Sequence, residues 1–343
     1  MTDELNTHSP TEDIVTDLPS LWPYNGVASE RLQDKSAIGR LSEDGILLLS
    51  EIEYIFCNKH RNIPLPDEEW LDSMLKINPS ILLSYAVFEA VRISGNKVIL
   101  DFNLSLYDVQ SEDETWGCRW SSSSHPRNSE PKSEIRWFRS DDEFDSESLI
   151  NWTKRVSERG RIAEVVVVDD EFSVVTYRLE IFDPRGNIPN HDIVSKLTSM
   201  NKGLEMEGGR FYPHEKWNIS QIGLSLDNGV FVDQTTCDLI DGKNTEEVEI
   251  LSDILNRGLS PRPGFKYGTK WRCYDKPIGE DHAPYLIIIP KNKPKNWAEA
   301  CLASRLASGV NKIWILPVKQ EKWSYLAVKR PPADSRWTNP NRY

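Results

Sequence analysis

The 343 residues are 38% hydrophobic and 27% charged with a mean hydropathy of -0.51, a chain that can bury a real core and, at roughly 100–200 residues per domain, suggests two domains. Disorder throughout is excluded, no run approaches the roughly 18 apolar residues of a membrane span, and the acidic start Met1-Thr2-Asp3-Glu4-Leu5 does not read as a signal peptide. Five cysteines, odd in number and without a CxxC, argue against a disulfide framework or a zinc knuckle, so a reduced cytoplasmic protein without membrane attachment is expected. The formal charge of -12 hides an asymmetry: residues 251–343 carry 17 Lys and Arg against 7 Asp and Glu, and the rest carries 24 against 46. A basic third on an acidic remainder points to a local phosphate-binding face.

Residues 1–35 are acidic and rich in Ser, Thr and Pro without periodicity, and read as a flexible tail. Gly45 to Ser50 is a short apolar run expected to be a strand, Ser50 to Phe56 spaces its apolar residues like a helix start, and Pro66-Asp67-Glu68-Glu69 opens another helix. Residues 84–94 predict a helix that Gly95 ends, after which strands are expected from Lys97 to Tyr107. The Ser-rich residues 109–135 read as an irregular polar insertion. A helix at about 147–158 leads into the β-branched run Val165-Val166-Val167-Val168, which returns through Val174 to Leu179 after the acidic turn Asp169-Asp170-Glu171. Pro184-Arg185-Gly186-Asn187 reads as a linker.

The second half repeats the plan. A helix ends at Gly258, strands run to Tyr274, an Ala-rich helix spans 297–308, and Ile313-Trp314-Ile315-Leu316 returns as Trp323 to Val328. The informative segment is Gly264-Phe265-Lys266-Tyr267-Gly268, a strand ending in Tyr274, then His282-Ala283-Pro284-Tyr285, and Lys312 after the helix. Singly, each of these has an ordinary structural reading: a rim aromatic, a surface histidine, a charge at a helix C-terminus.

Together they resemble the catalytic unit of tRNA-splicing endonucleases, and the two-copy layout resembles the archaeal form in which a noncatalytic and a catalytic unit are fused. The resemblance implies an α/β fold of two such units, each a mixed sheet with flanking helices, restriction-endonuclease-like, preceded by a small α+β piece. The expected division is a tail over 1–35, a noncatalytic unit over 36–183 with the insertion 109–135, a linker and N-terminal part of the second unit over 184–249, and the nuclease-like domain over 250–343.

It also implies the activity: excision of introns from precursor tRNA at bulge-helix-bulge motifs without a metal or other cofactor, leaving a 2′,3′-cyclic phosphate and a 5′-hydroxyl. In-line attack by a ribose 2′-OH needs one proton removed, one donated and added negative charge stabilised. Those roles map onto Tyr274 as general base, His282 as general acid and Lys312 as electrostatic clamp. Arg305 and Arg330 are implied to grip an extruded base between guanidinium planes. Asp169, Asp170 and Glu171 are implied to dock into the partner of a homodimer. In the first copy, Tyr107 stands for Tyr274, Thr115 for His282 and Arg161 for Lys312, so that copy is expected to be inert. Asn311 stands where the family commonly has Arg, and Pro317 is expected to interrupt its strand. A noncatalytic RNA-binding or structural subunit with the same fold is the alternative. A metal-dependent DNA nuclease would need an acidic pair near a Lys, which the basic third lacks.

Overall fold

Leu47–Leu49 forms the middle strand of a small antiparallel sheet. The structure is a computed structural model that describes residues 21–189 and 192–337, in two units, one up to Tyr85 and one from Ala86. The first unit holds β1 (Trp22–Tyr24), α1 (Ser29–Ser36), β2 (Arg40–Leu41), β3 (Leu47–Leu49), α2 (Glu51–Arg61) and α3 (Trp70–Ile77), with sheet order β1-β3-β2. Ser50 starts α2 with a reciprocal cap: its hydroxyl accepts the Glu53 N–H while the Glu53 carboxylate accepts the Ser50 N–H. Residues 1–20 of the expected tail lie outside the described residues. Residues 22–24 are no tail: they pair with β3, and Trp22 meets Trp70 edge-on at 5.6 Å, an apolar anchor that outweighs the polar composition around it. Next comes α4 (Ile81–Arg92), within which the two units divide.

The second unit holds β4 (Lys97–Leu100), β5 (Gly117–Trp120), β6 (Ser133–Arg139), α5 (Ser146–Glu158), β7 (Ile162–Val168) and β8 (Val174–Phe182). There follow α6 (Ile193–Thr198), β9 (Leu204–Met206), β10 (Gly209–Pro213), β11 (Leu224–Leu226), β12 (Gly229–Asp233), α7 (Gln234–Ile240) and α8 (Glu246–Asn256). The chain then makes β13 (Ser260–Pro263), β14 (Trp271–Tyr274), β15 (Tyr285–Ile287), α9 (Trp297–Gly309), β16 (Ile313–Lys319) and β17 (Trp323–Lys329). Ten strands form one mixed sheet in the order β13-β14-β15-β16-β17-β8-β7-β6-β5-β4. From either edge inward the pairings run antiparallel, antiparallel, parallel, antiparallel, and β8 joins β17 antiparallel at the centre. β13, an outer strand, reads Ser-Pro-Arg-Pro. A separate sheet, β11-β12-β10-β9, packs against α6, α7 and α8.

Two cores lie on the sheet. One joins α6 to α8 with Trp271, Cys273, Ile287 and Ile315; the other joins α5 and α9 with Trp314, Leu316, Leu326 and Val328. In α9, Asn296 caps the N-terminus, and Trp297, Ala300, Cys301 and Ala307 face inward. Trp297 is fully buried and stacks on Phe138 at 4.8 Å. Among the described residues no single helix is long and apolar enough to cross a membrane.

Three expectations need correction. Strands do not run from Lys97 to Tyr107: β4 stops at Leu100, and Asp101–Tyr107 is a 3-10 helix. Residues 109–135 are not wholly irregular, since they contain β5 and the start of β6. β5 escapes a polarity reading because its charged member, Arg119, is buried and held by both oxygens of Glu164 at 2.7 Å. β16 runs unbroken through Pro317, which pairs with Tyr325. The β15 ladder has already ended at Ile315, so a missing donor is tolerated there. The segment read as a linker is tightly packed: a Cβ on Gly186 would lie 2.1 Å from the carbonyl oxygen of Gly258, so only glycine fits.

Candidate active site

Three neighbouring strands end together at the site. Cys273 of β14 faces Tyr285 of β15, which in turn faces Ile313 of β16. Tyr274, the segment 282–284 and Lys312 therefore lie at one end of the sheet. Residues directly opposite in a ladder share a face and alternate along each strand, so Arg262, Arg272, Tyr274 and Lys312 all belong to the face covered by α9. Lys312 follows Asn311, whose φ of 54° is left-handed, a conformation that Asn tolerates better than most residues.

The Lys312 ammonium donates to the Ala283 carbonyl and sits 5.6 Å from the ring centre of Tyr267. It is thus tied to the residue after His282 and to the aromatic of the Gly-Phe-Lys-Tyr-Gly turn, two contacts that sequence reasoning missed. His282 is exposed, and the Asp281 carboxylate accepts its backbone N–H at 2.8 Å. Lys276 bonds Asp281 in turn at 2.9 Å and holds its carboxyl below the usual range. Tyr274 is half-buried, with the Arg272 guanidinium 5.9 Å from its ring centre. Arg262, opposite Arg272, is also pushed below its ordinary pKa by burial.

Arg305 and Arg330 are exposed. Burial pushes the Tyr177 hydroxyl up, and both guanidiniums oppose that shift. Continuing the β16–β17 register brings Arg330 level with Lys312. Asp169, Asp170 and Glu171 form the tip of the β7–β8 hairpin. Asp169 accepts the N–H groups of Glu171 at 3.0 Å and Ser173 at 2.7 Å, and Asp170 lies 3.5 Å from Arg139. Among the described residues no group of three or more His, Cys, Asp or Glu is placed to hold a metal ion.

The other half of the sheet corrects the expected correspondences. Lys97 faces Trp120 as Ser260 faces Tyr274, and Ser133 faces Ile162 as Tyr285 faces Ile313. Trp120, not Tyr107, therefore occupies the place of Tyr274, and Glu130, not Thr115, that of His282. The unforeseen 3-10 helix before β5 shifts the count. Arg161 does stand at the position of Lys312, but it is closed by Glu130 at 2.9 Å and Glu134 at 2.8 Å.

Residues 245–325 match the family of the tRNA intron endonuclease catalytic C-terminal domain. The chain is similar to the tRNA-splicing endonuclease of Thermoplasma volcanium, 30% identical over 166 residues, covering 48% of this chain and 53% of that protein. It is also similar to that of Picrophilus torridus, 29% identical over 151 residues, covering 44% and 49%, and to that of Methanothermobacter thermautotrophicus, 35% identical over 66 residues, covering 18% and 39%. The chain thus spans about half the length, or less, of these curated relatives. The matched segment, residues 245–325, carries Tyr274, His282 and Lys312 and is similar to the catalytic C-terminal domain of tRNA intron endonucleases.

Proposed function

We propose that the chain is an endoribonuclease that excises introns from precursor tRNA in the cytoplasm, cleaving bulge-helix-bulge RNA without a metal. Tyr274 takes the proton of the attacking 2′-OH, His282 protonates the leaving 5′-oxygen, and Lys312 stabilises the added charge on phosphorus. The products are a 2′,3′-cyclic phosphate and a 5′-hydroxyl. The observation that carries this reading is the tie of the Lys312 ammonium to Ala283, which brings a cation to the segment of a solvent-facing histidine, beside a strand ending in tyrosine. Arg305 and Arg330 grip an unpaired base, and the shape of the RNA supplies specificity because A-form major grooves hide base edges while bulges splay out.

In this reading residues 36–183 are a noncatalytic unit fused to a catalytic one, with 184–249 linking them and beginning the second unit and 250–343 as the nuclease-like domain. The mirrored pairing order of the sheet supports it. The chain acts as a homodimer in which Asp169, Asp170 and Glu171 brace the partner's catalytic domain. The test is incubation of the purified protein with a bulge-helix-bulge RNA in EDTA, with the product ends mapped. Cyclic phosphate at both intron boundaries is expected; RNA binding without cleavage would leave a noncatalytic subunit.

A further inference from the structure

Next to the site, a cavity of about 340 Å³ opens between β13, β14 and the small sheet. Leu224, Phe231 and Phe265 give it an apolar wall, and Arg262, Lys266 and Arg272 give it a basic rim. Asp233 is its one carboxylate among the described residues, and that group is engaged at the N-terminus of α7, where it accepts the Thr236 N–H at 2.8 Å.

Phe265 is 91% exposed. It stands at the start of the 3-10 turn Phe265–Tyr267, closed by Gly268 in the left-handed region at φ +66°, so the backbone holds the ring out where it adds nothing to the core. Phe231 lies against the sheet: a Cβ on Gly209 would come within 3.1 Å of its ring. Phe211, opposite Phe231, lies in the same way on Gly229. Aromatic rings laid on glycines keep an outer face for a planar guest.

The rim carries the second half of the argument. Arg262 and Arg272 face each other across the β13–β14 ladder, and like charges directly opposite are unfavourable. Neither arginine has an ion pair among the described residues. Arg262 reaches only backbone carbonyls, those of Gln221 at 3.3 Å and Ser220 at 3.4 Å among them, and the buried Arg272 Nε has no hydrogen-bond partner among the described residues. Elsewhere two buried arginines of this chain are paired with carboxylates, Arg119 with Glu164 and Arg210 with Asp241. A facing pair without a carboxylate suits an anion from outside. A nucleotide supplies both a flat apolar face and a phosphate.

We propose that this cavity holds an unpaired base of the RNA, stacked on Phe265, with the adjoining phosphate taken by Arg262 and Arg272. Arg272 also lies beside Tyr274, so the base belongs to a nucleotide near the cleaved linkage. This inference rests on the cleavage reading and adds to it a contact distinct from Arg305 and Arg330.

The test uses the full chain and a bulge-helix-bulge RNA with 2′-O-methyl riboses at the scissile linkages, which blocks cleavage, and 2-aminopurine at one unpaired position at a time. Phe265→Ala and Phe265→Leu should each raise Kd by roughly 5- to 100-fold, the range that one stacked base provides, and relieve quenching at one of those positions. Phe265→Trp should restore both, and Arg272→Met should lower the salt slope of binding by about one. Unchanged Kd and quenching in Phe265→Ala would overturn the proposal. So would a Phe265→Ala variant that binds RNA normally but changes in sedimentation, since the surface would then face protein. A wild type that neither binds this RNA nor cleaves its unmodified form would instead defeat the cleavage reading itself, and this one with it.

Discussion

Arg161 and Lys312 stand level in the two halves of the sheet, each just before the strand that pairs in parallel, and they face opposite surroundings. Arg161 lies between Glu130 and Glu134, the latter fully buried, whereas Lys312 donates to a carbonyl and has no carboxylate partner among the described residues. The two positions should therefore answer differently to the same change. Lys312→Ala should cut single-turnover cleavage by about 10²–10³-fold with little change in stability. Arg161→Ala should leave the rate per folded molecule intact but cost about 3–5 kcal/mol, because Glu134 is then buried without its cation. Urea unfolding beside single-turnover kinetics separates the two.

His282→Ala should slow cleavage by about 10²–10⁴-fold, the usual worth of a general acid, while RNA affinity stays near that of wild type. The side chain is exposed and its backbone N–H is held by Asp281, so the fold should not change. A single-turnover rate close to wild type would remove His282 from the mechanism.

Arg305→Ala and Arg330→Ala should each weaken binding of bulged RNA, at about 1–3 kcal/mol per stacked base, with little effect on a fully paired duplex. Because both are proposed to hold the same base, the double variant should lose less than the sum of the singles. Strict additivity would place them on separate parts of the RNA.

Acid should loosen the α8–β14 contact. Burial raises the Glu247 carboxyl, but Lys270 at 2.8 Å, together with Lys291, outweighs that and holds it down at about 2. A carboxylate depressed in the folded state contributes stability that is complete above its unfolded value of about 4.3 and lost as pH falls toward 2. Glu247→Gln should remove on the order of 1–2 kcal/mol at pH 7, after allowance for solvent screening, and flatten the pH dependence of unfolding in that window. Denaturation followed from pH 6 to pH 2 tests the sign.

Replacing Asp169, Asp170 and Glu171 together with Lys should abolish dimer formation and with it cleavage, yet leave each subunit folded. Among the described residues the one ion pair lost inside the chain, Asp170 with Arg139, is solvent-exposed and worth at most about 1 kcal/mol. Analytical ultracentrifugation of a variant that remains dimeric and active would end this proposal.

Apolar runs make the long elements legible, and the β-branched run of β7 needs no context to be read as a strand. β5 was hidden because its arginine is compensated by Glu164, a residue 45 positions away that local composition cannot report. The same limit applies at the site. Tyr274, His282 and Lys312 stand out in a recognisable pattern, but the Tyr267 ring beneath the Lys312 ammonium and the Ala283 carbonyl are joined to it only by folding. Tyr107 resembles Tyr274 in its Tyr-Asp pair and Thr115 matches His282 in count, but the ladder, not these local features, sets equivalence.

Pro261 and Pro263 give β13 a further consequence. Proline survives on an outer strand because its missing N–H faces away from the ladder, so the open side of β13 offers a newcomer an incomplete row of donors. A stray extended peptide or the rim of another molecule therefore cannot lengthen the sheet beside Tyr274. Copies of the chain that associate are accordingly not expected to do so by pairing strands along β13.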